Sequence, residues 1–219
     1  MSAKASKPLH EIVRELELEE FPELSETVDE LWTGVTTKPI LAPKGPYAYF
    51  APSYHIQRGL VGKTIIEDLR KGKKMLSVGS GPAYLERLLV NRFGVDPNNI
   101  TLSDISTSNV PEGFNFHQFD MYGQWPDFGQ SFDYIIFPES LCDIGITRDF
   151  KRVETEGRVE RATHLFRQSL RNLNPYGQAR FDGYVHRHIF DEAIKRVHQE
   201  NPNARLVYRG PTMILSKAT

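Results

Sequence analysis

No part of this chain restricts its possible folds as tightly as the stretch Lys74-Met-Leu-Ser-Val-Gly-Ser-Gly-Pro-Ala-Tyr-Leu-Glu86. Met75, Leu76 and Val78 make a short apolar run after the charged Lys71-Gly-Lys-Lys74. Such a run predicts a central strand of a parallel sheet, covered on both faces. Gly79 and Gly81, with Ser80 between them, let the backbone turn sharply and approach a ligand with no Cβ in the way. From Leu85 the spacing changes, and Leu85, Leu88, Leu89 and Phe93 fall on one face of a helix. A strand whose glycines feed a helix start offers N–H groups and the positive end of the helix dipole. That combination suits a carboxylate, a ribose hydroxyl or a phosphate. The plainer alternative is a tight turn that holds nothing.

The rest of the chain narrows the setting. Its 219 residues suffice for one α/β domain with a real core and a short extension. Lys and Arg number 27 against 28 Asp and Glu, so nothing global draws the chain to nucleic acid or to an acidic membrane. Cys142 is the single cysteine, which excludes an internal disulfide and a zinc site of several thiolates. Residues 1–20 are interrupted by Lys4, Lys7, His10, Glu11 and Arg14 and hold no apolar core of signal-peptide length. No window reaches the run of about 18 apolar residues that a membrane span needs. A cytoplasmic protein is expected.

In chain order, Leu9, Ile12, Val13 and Leu16 predict a helix over 8–20, and Pro22 with Leu24, Val28 and Leu31 a second over 22–32. Residues 38–54 are rich in proline and aromatics, which is loop chemistry. Tyr47, Tyr49, Phe50 and Tyr54 either close over a ligand as a lid or pack the N-terminal helices onto the domain. Residues 1–54 therefore read as a helical extension with an aromatic lid loop, and 55–219 as the α/β domain. Ile56, Leu60, Val61, Ile65 and Leu69 mark a helix leading into the glycine strand.

Beyond it, Ile100-Thr-Leu-Ser-Asp104 reads as a second strand ending in an acid, followed by Ile105. Asp104 lies 23 positions after Gly81, near the spacing of about 20 at which a carboxylate accepts from ribose hydroxyls on the neighbouring strand. The alternative is a carboxylate that caps a turn. Residues 114–119 read as a third strand ending in Asp120-Met121, and 131–137 as a fourth, with Pro138 and Glu139 at its carboxyl end. Open α/β sheets bind ligands at those ends. A helix within 146–173 carries Val159, Ala162, Phe166, Leu170 and Leu173, and Leu173-Asn-Pro-Tyr-Gly177 supplies turn residues. A fifth strand over 179–185 follows, then a helix with Ile189, Phe190, Ala193, Ile194 and Val197. A hairpin of 204–209 and 212–216 ends the chain.

Glycines, Asp104, Asp120, the Phe132-Asp133 strand opening and the hairpin succeed one another in an order that resembles the class I S-adenosylmethionine-dependent methyltransferases. Gly79 and Gly81 match that family's G-x-G-x-G motif, with Ala83 where the third glycine usually falls. The dinucleotide fingerprint G-x-G-x-x-G instead needs a small residue where Tyr84 stands. The resemblance covers residues 55–217. It implies an α/β, three-layer Rossmann-like sandwich, with a seven-stranded, mostly parallel sheet, a C-terminal antiparallel hairpin and added N-terminal helices. It also implies S-adenosylmethionine as cofactor. The turn of Gly79, Ser80 and Gly81 would meet the methionine end through its amides. Asp104 with Ile105 would meet the ribose, and Asp120 the adenine amino group beside Phe119 and Met121. Pro138 would lie near the reacting methyl group. Tyr176 replaces a glycine of the family's Leu-x-Pro-Gly-Gly turn.

Methyl transfer from a sulfonium is an in-line displacement, so such a site chiefly aligns an acceptor and removes or tolerates one proton. Glu139 and Asp143 after strand four, and His186 and His188 after strand five, are candidates for a base; each is equally at home as a solvated loop residue or a helix cap. Phe137-Pro-Glu-Ser140 departs from the Asn/Asp-Pro-Pro-Tyr motif of adenine- and glutamine-methylating enzymes, so a small-molecule acceptor is expected. His186-x-His188 lacks a third ligand at convincing spacing, so no metal site is expected. The basic run Arg148, Lys151, Arg152, Arg158, Arg161, Arg167 and Arg171 is interspersed with Asp149, Glu154, Glu156 and Glu160. It suits a phosphate-bearing or nucleic-acid substrate, or a solvated helix face with i,i+4 pairs. Two other functions fit the same fold: a non-catalytic binding module, and transfer of the aminocarboxypropyl group from the same cofactor.

Overall fold

The computed structural model of the chain describes residues 7–24, 51–107, 110–138, 144, 153–182 and 187–217. Its centre is β1 (Met75–Val78), buried at every position as the apolar run predicts. Around it lie β2 (Ile100–Asp104), β3 (Asn115–Gln118), β4 (Phe132–Phe137), β5 (Leu173–Asp182), β6 (Ala204–Arg209) and β7 (Thr212–Lys217). They form one seven-stranded sheet in the order β3-β2-β1-β4-β5-β7-β6. β1 pairs in parallel with both β2 and β4. β7 alone runs against its neighbours, antiparallel to β5 and to β6, which makes the C-terminal hairpin.

Helices cover both faces. On one face lie α1 (Leu9–Glu20), α2 (Pro52–Gln57), α3 (Lys63–Arg70) and α4 (Tyr84–Phe93); on the other lie α5 (Thr155–Asn172) and α6 (Arg187–Glu200). The period-2 alternation of each strand assigns its side chains to the two cores. Leu76, Val78, Ile135, Phe137, Ala179 and Phe181 face the α5–α6 layer, whereas Met75, Tyr134 and Ile136 face the α1–α4 layer. The five apolar residues expected to anchor α6, Ile189, Phe190, Ala193, Ile194 and Val197, are all buried. The chain is the three-layer Rossmann-like sandwich that the sequence implies, with the first of the expected N-terminal helices in place as α1.

Local departures have local causes. The single helix expected over 56–69 is two, α2 and α3, because Gly59 takes φ +84 and Gly62 extends at φ −136. The apolar residues of both pieces are nevertheless buried. α2 spans the expected domain boundary at 54/55. Of the helix expected over 22–32, the described part is a 3-10 turn at Pro22–Leu24, and residues 25–32 lie outside the described residues. The turn expected after α5 is instead an irregularity inside β5. Phe132 pairs with Leu173 and Tyr134 with Gln178, so five steps of β5 answer two of β4. Pro175 cannot donate a ladder hydrogen bond, Tyr176 adopts φ +66, and Gly177 lies where a Cβ would come 2.9 Å from Phe132 O. The expected continuation of strand five at 183–185, and Tyr47, Tyr49 and Phe50 of the aromatic loop, lie outside the described residues.

Candidate functional site

Strand order reverses between β1 and β4: β1 leads outward to β2 and β3, β4 to β5. Crevices for ligands open at the carboxyl ends of strands at such a point. There the backbone leaves β1 through Gly79 at φ +71, Gly81 at φ +51 and Ala83 at φ +54. Three left-handed residues within five positions turn the chain from strand to helix in minimal length.

The hydrogen bonds of this turn show what it offers a ligand. The N–H groups of Gly79 and Ser80 donate to the carbonyl of Ser103 at 2.8 and 3.0 Å, and that of Gly81 donates to Asp104 Oδ2 at 3.0 Å. Pro82 has no N–H, and Ala83 N–H returns to Ser80 O at 2.9 Å. The amides of the turn therefore hold the turn to β2. No described donor reaches the carbonyl oxygens of Gly79 and Gly81, so the group that the turn best receives is a donor such as an ammonium.

Asp104, at the end of β2, is drawn directly to the glycines. Its Oδ2 accepts from Gly81 and its Oδ1 from the N–H of Ser106 at 3.0 Å. It thus caps two turns at once, while each oxygen keeps a further acceptor direction. Ile105 beside it is 51% exposed, one of three large apolar side chains of the described residues left open to solvent. Phe119 N–H donates to Asp104 O at 3.1 Å, which brings the chain after β3 alongside. Asp120 then folds back on its own turn, with Oδ1 accepting from Tyr122 N–H at 3.0 Å. Met121 is half-buried, packed with Phe119 and Tyr122 against the α5–α6 core, and its carbonyl accepts Trp125 Nε1–H at 2.9 Å. Pro138 is buried at the end of β4. Of the candidate bases, Glu139, Asp143 and His186 lie outside the described residues, and His188 is exposed in the first turn of α6.

Two buried acids escaped the sequence patterns. Glu86, 1% exposed on the sheet side of α4, accepts the hydroxyl of Ser77 at 2.5 Å, directly below the turn. Burial raises its carboxyl to about 7. Glu17, fully buried on α1, accepts the N–H and hydroxyl of Ser53 at 2.7 and 2.5 Å and so caps α2; burial raises it to about 7 as well. Both carried a signal: each sits on an apolar face, Glu17 four after Val13 and Glu86 three before Leu89. α1 and α2 pack against α4, so this acid-capped pair flanks the helix that the turn begins.

Three arginines in the described part of the basic run, Arg158, Arg161 and Arg167, are engaged within the protein. Arg167 pairs with Glu200, Arg158 Nε–H donates to Val153 O at 2.7 Å, and Arg161 stacks over the Tyr122 ring at 4.7 Å. Among the described residues no three His, Cys, Asp or Glu converge as a metal set, and no helix is long and apolar enough to cross a membrane.

No family model and no curated protein matches the sequence. Solved structures match the fold. One is S-adenosylmethionine-bound CalS10, an amino pentose methyltransferase from Micromonospora echinaspora involved in calicheamicin biosynthesis. It aligns at a TM-score of 0.51 and 11% identity over 84% of this chain and 100% of that one. A methyltransferase from Pyrococcus furiosus aligns at a TM-score of 0.50 and 14% identity over 92% of this chain and 100% of that one.

Proposed function

Since the chain has the class I S-adenosylmethionine-dependent methyltransferase fold, we propose that it binds S-adenosylmethionine at the carboxyl ends of β1, β2 and β3 and methylates a small molecule. The observation that carries this reading is the Gly81–Asp104 hydrogen bond, which joins the glycine turn to the acid of the next strand. The donor and acceptor chemistry fits. Carbonyls of Gly79 and Gly81 suit the ammonium of the methionine end, Asp104 suits two ribose hydroxyls, and exposed Ile105 suits the edge of a ring. Asp120 and Met121 are proposed to border the adenine, and Ser80 and Pro138 the methionine and methyl ends. The bound cofactor supplies an electrophilic methyl group on a sulfonium. The protein's part is orientation: β1 and β2 hold the turn rigid through Ser103 and Asp104, and a preset turn loses little freedom on binding. Residues 1–54 are proposed to border the acceptor space as an extension of the 55–219 domain, since α1 and α2 lean on α4.

A small acceptor is supported by the balanced charge and by the engagement of Arg161 and Arg167 within the protein. Likeness to an amino pentose methyltransferase points the same way. Calorimetry with S-adenosylmethionine tests the reading. Removing a charged acceptor that serves two hydroxyls is worth about 1.5–3 kcal/mol per bond, so Asp104→Ala should weaken binding at least about tenfold, with Asp104→Asn between. Unchanged affinity in Asp104→Ala, or no binding by the native protein at millimolar cofactor, overturns it. Mass analysis of products then separates methyl from aminocarboxypropyl transfer.

A further inference from the structure

A carboxylate buried beside the glycine turn, with no cation contributing to its ionisation among the described residues, calls for an explanation. Glu86 lies in the first turn of α4, 1% exposed, and its Oε1 accepts the Ser77 hydroxyl at 2.5 Å. Ser77 is the last β1 residue but one before Gly79. Its carbonyl accepts the Ser103 hydroxyl at 3.1 Å, and the Ser103 carbonyl accepts the N–H groups of Gly79 and Ser80. Three successive hydrogen-bonded contacts, joined through the covalent frames of Ser77 and Ser103, therefore connect Glu86 to the turn backbone.

We propose that Glu86 is a positioning residue of the cofactor site whose negative charge favours the cationic sulfonium cofactor over its neutral thioether product. This rests on the cofactor assignment above and extends it to the choice between two ligand charge states. S-adenosylmethionine carries one more positive charge than S-adenosylhomocysteine, and they share the same amino acid, ribose and adenine parts. A buried anion in a low-dielectric setting discriminates between them more strongly than an exposed one. Anionic Glu86 also has favourable company at the amino end of α4, where the helix dipole is positive.

The surrounding charges leave this role to Glu86. The elements packed on α4 contribute Glu17, Glu20 and Glu19, which pairs with Arg92, from α1 and His55 from α2, and Asp104 ends β2. Arg87 and Arg92 belong to α4 itself. Glu20 is held by Arg92 and Asn91, Arg87 stacks over Phe21, and burial pushes His55 down to about 3, so it is neutral. None of them sets the ionisation of Glu86. Burial does, raising it to about 7, with the Ser77 hydrogen bond opposing. Near neutral pH the group is therefore poised to lose its proton when a cation arrives.

The test uses the full chain and two probes, S-adenosylmethionine and S-adenosylhomocysteine, by calorimetry at pH 6 and pH 8 in buffers of different ionisation enthalpy. The expected result is an affinity ratio, sulfonium over thioether, that rises about three- to tenfold from pH 6 to pH 8. In Glu86→Gln the ratio should be lower and flat. Equal pH dependence in both proteins overturns the proposal while leaving the cofactor assignment standing; failure of both ligands to bind the native protein overturns both. A second measurement avoids altering Glu86. In Glu17→Gln, which removes the other buried acid, the infrared band of the protonated carboxyl at pH 6 should disappear on adding S-adenosylmethionine and persist with S-adenosylhomocysteine. A band unchanged by either ligand overturns the proposal.

Discussion

Replacing Glu17 by Gln should change how stability depends on pH, and the structure supplies the magnitude. The Glu17 carboxyl is fully buried and fastens α1 to α2 through Ser53. Its folded value of about 7 lies above the ordinary 4.5. A raised value means that the folded state binds the proton more tightly. The stabilisation is complete below about pH 4.5 and is lost as pH climbs through about 7. At about 1.4 kcal/mol per pH unit the full effect is about 3 kcal/mol, of which about 2.5 kcal/mol falls between pH 5 and pH 8. Glutamine keeps the shape and one acceptor but carries no charge at any pH. The native curve alone is not diagnostic. His55, buried and lowered to about 3, works in the opposite sense and loses stability as pH falls below its ordinary 6.5. The observable is the difference between variant and native protein. Thermal unfolding at matched ionic strength should show Glu17→Gln gaining on the native protein by about 2.5 kcal/mol from pH 5 to pH 8, or about 5–10 °C in Tm for a chain of this size. Parallel curves across that range would refute the assignment of a buried, perturbed carboxyl to Glu17.

The backbone irregularities make further predictions. Gly177→Ala places a methyl 2.9 Å from Phe132 O and 3.0 Å from Asn174 O, so a loss of about 1–3 kcal/mol is expected, read as a Tm drop; an unchanged Tm would show that β5 yields there. Tyr176 and Ala83 both occupy left-handed backbone at φ +66 and +54, a strain of about 1–2 kcal/mol that glycine relieves, less about 0.4–1 kcal/mol for added freedom of the unfolded chain. Tyr176 is 75% exposed and loses little packing, whereas Ala83 is fully buried and gives up about 0.8 kcal/mol of methyl burial. Tyr176→Gly should therefore raise Tm more than Ala83→Gly, and the reverse order would contradict the strain argument. Phe181 stacks on Phe137 at 4.4 Å and meets Phe166 edge-on; Phe181→Ala should lower unfolding free energy by about 3–5 kcal/mol in a denaturant titration, and a loss below about 1 kcal/mol would mean that the core collapses into the space.

Much of this architecture was legible residue by residue. The change from the short run Met75–Val78 to the helical spacing from Leu85 marks a strand, a turn and a helix with no tertiary information, because periodicity records which face is buried. The two apolar runs at 204–209 and 212–216 likewise announced the hairpin. Less local features were not legible. The split between α2 and α3 hid because Ile56, Leu60, Val61, Ile65 and Leu69 are all buried whether or not the helix is continuous. The slipped register of β5 hid because turn residues inside a strand look like turn residues before one.

At the site, the chain order of Gly79, Gly81 and Asp104 announced a meeting of two strand ends, and folding delivers it as a 3.0 Å hydrogen bond. Which atoms the meeting leaves over could not be read from the order. The turn amides expected to face a ligand are held by Ser103 and Asp104, and carbonyl oxygens remain. Glu17 and Glu86 make the same point with charge. One-dimensional patterns report local geometry and average burial, whereas the ionisation of the two carboxyls depends on neighbours 9 and 36 positions away in the chain, and the turn's spare hydrogen-bonding groups on an acid 23 positions away. Only the packing of α1 on α2, and of α4 on β1, brings those neighbours within reach and removes the water that would otherwise keep both acids ordinary.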